Sequence, residues 1–291
     1  LLASVVAAEQ KPVSANVEKA LASSLLATLP RGGTVLAERQ NAALGVTEWD
    51  LSNGVKVILK PTDFKNDEIL LSATRFGGQS LFDQADMYNA GYASSIVSAM
   101  GLGGFAPTEL QKMLAGKVAS VNAGLGGLTD NVSASSSPTD LETMLQLLTL
   151  KFGNPRVDPA LFQSFVSRSQ DAARNATARP ESVFSDAVQT TLYGAHPRVW
   201  LTPRPAHFDQ LSLERVRAIY QQRFASAKGM TFLLVGSFSP SVIKPLVARY
   251  LGSLPTSDIP ASYADLGMRP VSGVVKKDVR AGSEPKSLVS I

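Results

Sequence analysis

Two hydrophobic periods alternate along the chain, and the places where one gives way to the other predict its elements. Between residues 9 and 29, Val17, Leu21, Leu25 and Leu29 fall at intervals of four, which predicts a short amphipathic helix stopped by Pro30, Gly32 and Gly33. Thr34 to Ala43 shows little pattern, so residues 1–44 read as a linker. Period two then sets in: Val55, Val57 and Leu59 alternate with Lys56 and Lys60 after Asn53-Gly54, a strong hairpin signal. Glu68 to Phe76 predicts a third strand, ended by Gly77-Gly78, and the three together predict an antiparallel meander with one covered face.

Helical spacing returns in Tyr88 to Gly101, where Tyr92, Ile96, Val97 and Met100 recur, Ala93 and Ala99 fill the gaps, and no charge follows Asp86. Such a helix belongs in the middle of a fold, and its Ser94, Ser95 and Ser98 are weak ligands and weak bases on their own. Ala106 to Leu114 predicts a shorter helix. Val118 and Val121, then Leu128, Val132 and Ala134, predict a second hairpin around Gly124, Gly126 and Gly127. Ser137-Pro138-Thr139-Asp140 is a helix start, with a cap, a proline at the first position and an acid at the third; Leu141, Met144, Leu145 and Leu148 form the apolar face behind it. Further helices are predicted from Asp158-Pro159 to about Ala178, from Glu181 to Tyr193, after the cap Ser212, and from Ser239-Pro240, where Pro245 either kinks the helix or marks its first turn. Pro197, Pro203 and Pro205 make residues 195–206 a loop, and Met230 to Val235 reads as a buried strand. Helices segregated beside an antiparallel sheet and packed on one face of it make the class α+β.

Composition narrows the function classes. The 291 residues suffice for one large domain, or for a domain of roughly 200 residues with a linker. The 28 Lys and Arg against 24 Asp and Glu give a net +4 without a dense basic run, so nucleic acid is not an expected partner. The absence of cysteine excludes disulfides, thiolate chemistry and cysteine-held zinc. No run of about 18 apolar residues is present to span a membrane as a helix. Leu1 to Ala8 is similar to the apolar part of a secretion signal but lacks a basic lead, and the expectation is a chain that begins inside a longer polypeptide.

Candidate chemistry is sparse. His196 and His207 lack the i, i+4 spacing that sets two imidazoles on one helix face for zinc, and loop packing is the expected use of both. Gly101 to Ala106, GLGGFA, matches a dinucleotide fingerprint on paper, but it follows a helix and runs into Pro107, so it reads as a backbone turn, as does the GLGG of the second hairpin. No G-x-S-x-G elbow accompanies the many serines. Residue types and spacing alone therefore define no active site.

Several pieces in order nevertheless resemble one family, the insulinase or pitrilysin-type (M16) zinc peptidases: LSNGVKVILKPT, RFGGQS, the helix ending in MGLGGF, KVASVNAGLGGLTDNVSASSSPTDLETMLQLL, LYGAHP, LSLERVRAIYQQRF, MTFLLVGSFSP and RYLGSLP, spanning Trp49 to Pro255. The resemblance implies that family's α+β metallohydrolase fold. In active members the central helix carries H-x-x-E-H, two histidines for zinc and a glutamate as general base. Aligning the glycine that follows that motif with Gly101 puts the three roles on Tyr92, Ser95 and Ile96, none of which can serve, and puts the family's third ligand near Asp171.

The resemblance further implies a place in a larger protein. Long members repeat the unit four times with the metal motif only in the first, and this chain resembles the third unit of a bacterial protease of the PqqL group. Residues 1–44 would be an inter-domain linker with a short helix, 45–258 an inactive peptidase domain, and 259–291 a linker with the first strand of the next unit at Ser283 to Ile291. Implied are no cofactor in this chain, zinc in the catalytic unit of a parent metalloendopeptidase, other M16 units and peptide substrate as partners, and a periplasmic location. The other reading is a stand-alone scaffold similar to the inactive subunits of processing-peptidase and respiratory core complexes.

Overall fold

A computed structural model describes residues 22–282 and Ser287. Strands β1 (Val35–Asn41), β2 (Val46–Leu51), β3 (Lys56–Pro61), β4 (Ile69–Phe76), β5 (Ala119–Leu125), β6 (Thr129–Ser136) and β7 (Thr231–Gly236) form one sheet in the order β1-β2-β3-β7-β4-β6-β5. The described helices are α1 (Met87–Ala99), α2 (Pro107–Met113), α3 (Leu141–Lys151), α4 (Pro159–Arg174), α5 (Pro180–Tyr193), the single turn α6 (Pro205–Phe208), α7 (Leu213–Phe224) and α8 (Pro240–Tyr250). The class is α+β. Alternation does the sorting: Ile69, Leu71 and Ala73 of β4, Val132 and Ala134 of β6, and Phe232 and Leu234 of β7 all turn to the covered face.

Three expectations need correction. The first three predicted strands are not a meander, because β7 lies between β3 and β4, parallel to the former and antiparallel to the latter. All other pairs are antiparallel, so the sheet is mixed. Alternation assigns faces but not neighbours; the near-continuous apolar run of TFLLVG suits the central position β7 takes. Second, Val35–Asn41 is a strand where no pattern was legible. It is an edge strand, mostly exposed and interrupted by a bulge between Val35 and Ala37, and neither condition imposes alternation. Third, residues 22–29 contain no helix; the rest of the helix expected over 9–29, up to residue 21, lies outside the described residues, as does the strand expected at Ser283 to Ile291 apart from Ser287.

At one end of the sheet the covered face holds charge. Arg75 of β4 and Asp130 of β6 are cross-strand partners, Arg223 comes from α7, and the side chains of all three are fully buried. Arg75 donates to Asp130 Oδ2 through Nε at 3.1 Å and Nη2 at 2.9 Å, and Arg223 Nη2 donates to the same oxygen at 2.6 Å. Further donors reach carbonyls, Arg75 Nη1 those of Ser226 and Lys228, each at 2.9 Å, and Arg223 Nη2 that of Pro260 at 2.9 Å, whereas Arg223 Nη1 is buried without a partner. Gly78 N donates to Asp130 Oδ1 at 3.1 Å. The FGG of RFGGQS is thereby explained: a Cβ on Gly77 would stand 2.2 Å from Arg223 Nη2, and one on Gly78 2.4 Å from the Gly126 carbonyl.

The same cluster anchors the segment after α8. Residues 256–282 run without helix or strand, held where Arg223 takes the Pro260 carbonyl, where Tyr263 meets Phe76 with ring centroids 5.4 Å apart, where Ala264 N donates to Ser80 Oγ at 3.2 Å, and where Val271 N donates to Leu192 O at 2.8 Å.

Candidate functional site

Helix α1 is fixed before it is functional. Asp86, just ahead of it, accepts a two-nitrogen grip from Arg215 of α7, with Nε at 2.7 Å from Oδ1, and Asn89 Oδ1 accepts from Ser212 N at 2.9 Å. Ala90, Ala93, Ile96 and Val97 are buried, and small residues let the helix lie close to its neighbours. Gly91 shows how close: a Cβ there would stand 2.3 Å from Cζ2 of Trp200. The helix ends in the glycine cluster, where Leu102 and Phe105 exchange backbone hydrogen bonds at 3.0 and 3.1 Å and Gly101 and Gly103 adopt φ of 102° and 58°; this is the turn expected of GLGGFA.

The three positions aligned with the metal motif do not converge. Tyr92 is half-buried in an aromatic cluster, with ring centroids 5.2 Å from Phe208, 5.8 Å from Trp200 and 6.4 Å from Phe165. Burial first, and then neighbouring Tyr88, push its phenol above the ordinary tyrosine value, so it stays a neutral aromatic wall. Ile96 is fully buried in the core. Ser95 alone of the three faces an open cavity. Asp171, expected near the third ligand position, is 69% exposed on α4 and paired with Arg174 at 3.1 Å. No register along Met87–Ala99 improves matters, since the helix contains no His, Asp, Glu or Cys. Zinc does not fit this donor set: hydroxyls and a phenol held neutral are poor ligands beside imidazole, carboxylate or thiolate.

The histidines stand apart from that cavity. His196 Nε2 is 3.0 Å from Leu266 O and its Nδ1 accepts from Arg198 N at 3.2 Å, so it ties the loop to the trailing segment. His207 stacks on Tyr88 at 4.5 Å and accepts from Arg204 N. Burial, then the Arg204 charge, lower its pKa.

The cavity, of about 470 Å³, lies between α1 and the β5–β6 ribbon. Ser94, Ser95 and Ser98 line it from the helix, and Asn122, Asn131 and Ser133 from the strands; no lining residue is charged. β5 is an edge strand, and its last outward groups are already occupied: Leu125 N donates to Ser94 Oγ at 3.2 Å, and Leu125 O accepts from Gln79 Nε2 at 3.0 Å. Beneath Ser98 lies a residue that the sequence reading passed over. Lys151, at the end of α3, is 6% exposed, and its ammonium donates to Ser98 Oγ at 3.4 Å. Its signal in the sequence was a cation following an apolar helix face.

Burial lowers the Lys151 pKa from the ordinary 10.5. The unfolded chain then holds that proton more tightly than the folded one, so the buried charge costs stability below the folded value, and the cost fades as the pH climbs towards 10.5. Lys151→Met, which keeps the stem and removes the charge, is expected to stabilise the chain by on the order of 1 kcal/mol at neutral pH. The gain should shrink at alkaline pH. Thermal melts of both chains across pH check this, and a loss at neutral pH would contradict it.

No family model matches the chain. It is 26% identical over 251 residues to the zinc protease PQQL-like protein of Arabidopsis thaliana, a match that covers 85% of this chain and 23% of that protein. The fold is similar to that of the periplasmic protease PqqL from Escherichia coli, with a TM-score of 0.70 and 23% identity over 91% of this chain and 29% of that one. It is also similar to a peptidase M16 inactive domain from Pseudomonas fluorescens, with a TM-score of 0.61 and 19% identity over 76% of this chain and 53% of that one. The chain spans about a quarter of the length of the zinc protease relatives it matches.

Proposed function

We propose a role for this chain, which belongs to the PqqL-like zinc proteases of the M16 family: it is a non-catalytic unit of such a protease, forming part of the chamber that holds the peptide substrate. The observation that carries the reading is α1, whose aligned positions hold an aromatic wall, a hydroxyl and a core aliphatic in place of two imidazoles and a carboxylate. Zinc and the general base then belong to another unit of the parent protein, and this unit contributes shape, a hydroxyl-lined cavity and an edge strand partly closed by Ser94 and Gln79. The domain proper, expected over 45–258, reaches back to β1 (Val35–Asn41), which pairs with β2 in the same sheet, and the residues before β1 and 259–291 serve as connections to neighbouring units. A periplasmic location is part of the proposal, supported by the E. coli relative of that description.

Incubating the chain with a mixture of unstructured peptides, with and without added zinc, tests the role. No cleavage is expected in either arm. Zinc-dependent cleavage that is lost on Ser95→Ala would overturn the non-catalytic reading.

A further inference from the structure

The cavity beside α1 has neutral walls and a cation behind one of them. Ser94 is committed to Leu125 N, whereas Ser98 lies open to the cavity with its oxygen taking a hydrogen bond from Lys151. A hydroxyl that accepts from an ammonium has its own proton left to give, and Ser98 lines the cavity. No carboxylate among the described residues pairs with Lys151, whose ammonium donates to the Ser98 hydroxyl at 3.4 Å, and burial lowers its pKa. A buried cation served by one long hydrogen bond is under-compensated, and it sits under a cavity that brings no negative group of its own. The amide of Asn122 and the hydroxyls of Ser95 and Ser133 add neutral donors around the same space, while the Asn131 amide already donates to Thr129.

We propose that this cavity binds a carboxylate of a peptide, with Ser98 donating to it directly and Lys151 supplying the positive charge behind Ser98. The proposal rests on the reading of this groove as part of a peptide-facing chamber and deepens it by naming the group recognised. Both a C-terminal carboxylate and an acidic side chain carry this chemistry, and about 470 Å³ accommodates a residue or two of chain around either. Lys151 is a positioning and charge-supplying residue here, and Ser98 is the one that touches ligand.

The test is a titration of the whole chain followed by amide NMR at Ser95, Ser98 and Gly124. Four probes are compared: N-acetyl-Ala-Ala with a free carboxylate, its C-terminal amide, N-acetyl-Asp-Ala amide, and N-acetyl-Asn-Ala amide as the neutral match of the third. A carboxylate bound at least tenfold more tightly than its amide partner, in either pair, is expected and identifies the terminal or the side-chain source. Lys151→Met, which relieves a buried charge and so keeps the fold, should abolish that preference, and Ser98→Ala should weaken it several-fold. Acid and amide binding equally, neither binding, or a preference that survives Lys151→Met would each overturn the proposal. The non-catalytic reading stands or falls on peptide cleavage and zinc content, which these titrations leave untouched.

Discussion

Asp130→Asn is expected to destabilise the domain by about 3–5 kcal/mol, the cost of leaving buried charge without its partner. The substitution is nearly isosteric, so the loss is electrostatic. Asp130 is the one anion between Arg75 and Arg223, and with its charge gone two buried guanidiniums face each other across a neutral amide. Burial already lowers the Arg75 pKa, and Asp130 is the first influence opposing it. Arginine does not escape by shedding a proton in the usual pH range, so the chain must open or admit water. Because Arg223 also holds Pro260, the segment after α8 should loosen with it. Urea unfolding followed by tryptophan fluorescence measures the loss, and faster hydrogen exchange at Ala264, whose amide donates to Ser80, reports the loosening. A change under about 1 kcal/mol would show that carbonyls alone support the two arginines.

Gly78→Ala has the second largest expected effect, a loss of about 2–4 kcal/mol from strain and overpacking. At φ of 61° a side chain already carries a penalty, and the added carbon would meet the Gly126 carbonyl at 2.4 Å and Thr129 N at 2.6 Å. Both obstacles are backbone of the β5–β6 hairpin, so no rotamer change relieves them. Gly54→Ala is the contrast, since its φ of 83° is also left-handed but nothing lies within 4 Å of its added carbon; it should cost about 1 kcal/mol. Equal losses at the two positions would assign the effect to dihedral strain alone.

Most elements were legible because local chemistry marks them. Ser137 accepts from Asp140 N, Asp158 from Leu161 N and Ser212 from Arg215 N, as their cap positions led one to expect, and α8 continues through Pro245. Order in the sheet was not legible, since the pairing of β7 with both β3 and β4 brings together residues far apart in sequence. The charged cluster did leave a trace that the reading missed. Arg75 shares parity with Ile69, Leu71 and Ala73, Asp130 with Val132 and Ala134, and Arg223 completes the helical face of Val216, Ile219 and Tyr220. Three elements each aim a charge inward, which their periods alone predict once charge is allowed on an apolar face. The cavity was harder to see: serines on α1 and asparagines on β5 and β6 look like solvated positions, and Lys151 like an ordinary helix end, until the fold puts them around one space.

Helix α1 is proposed to keep the place of a metal helix without its ligands. The most direct measurement is elemental analysis of the chain after incubation with zinc and exhaustive dialysis. Zinc at background is the expected result, because Met87–Ala99 supplies no imidazole, carboxylate or thiolate at any register. One zinc retained per chain, lost on substitution of Tyr92 and Ser95, would contradict it.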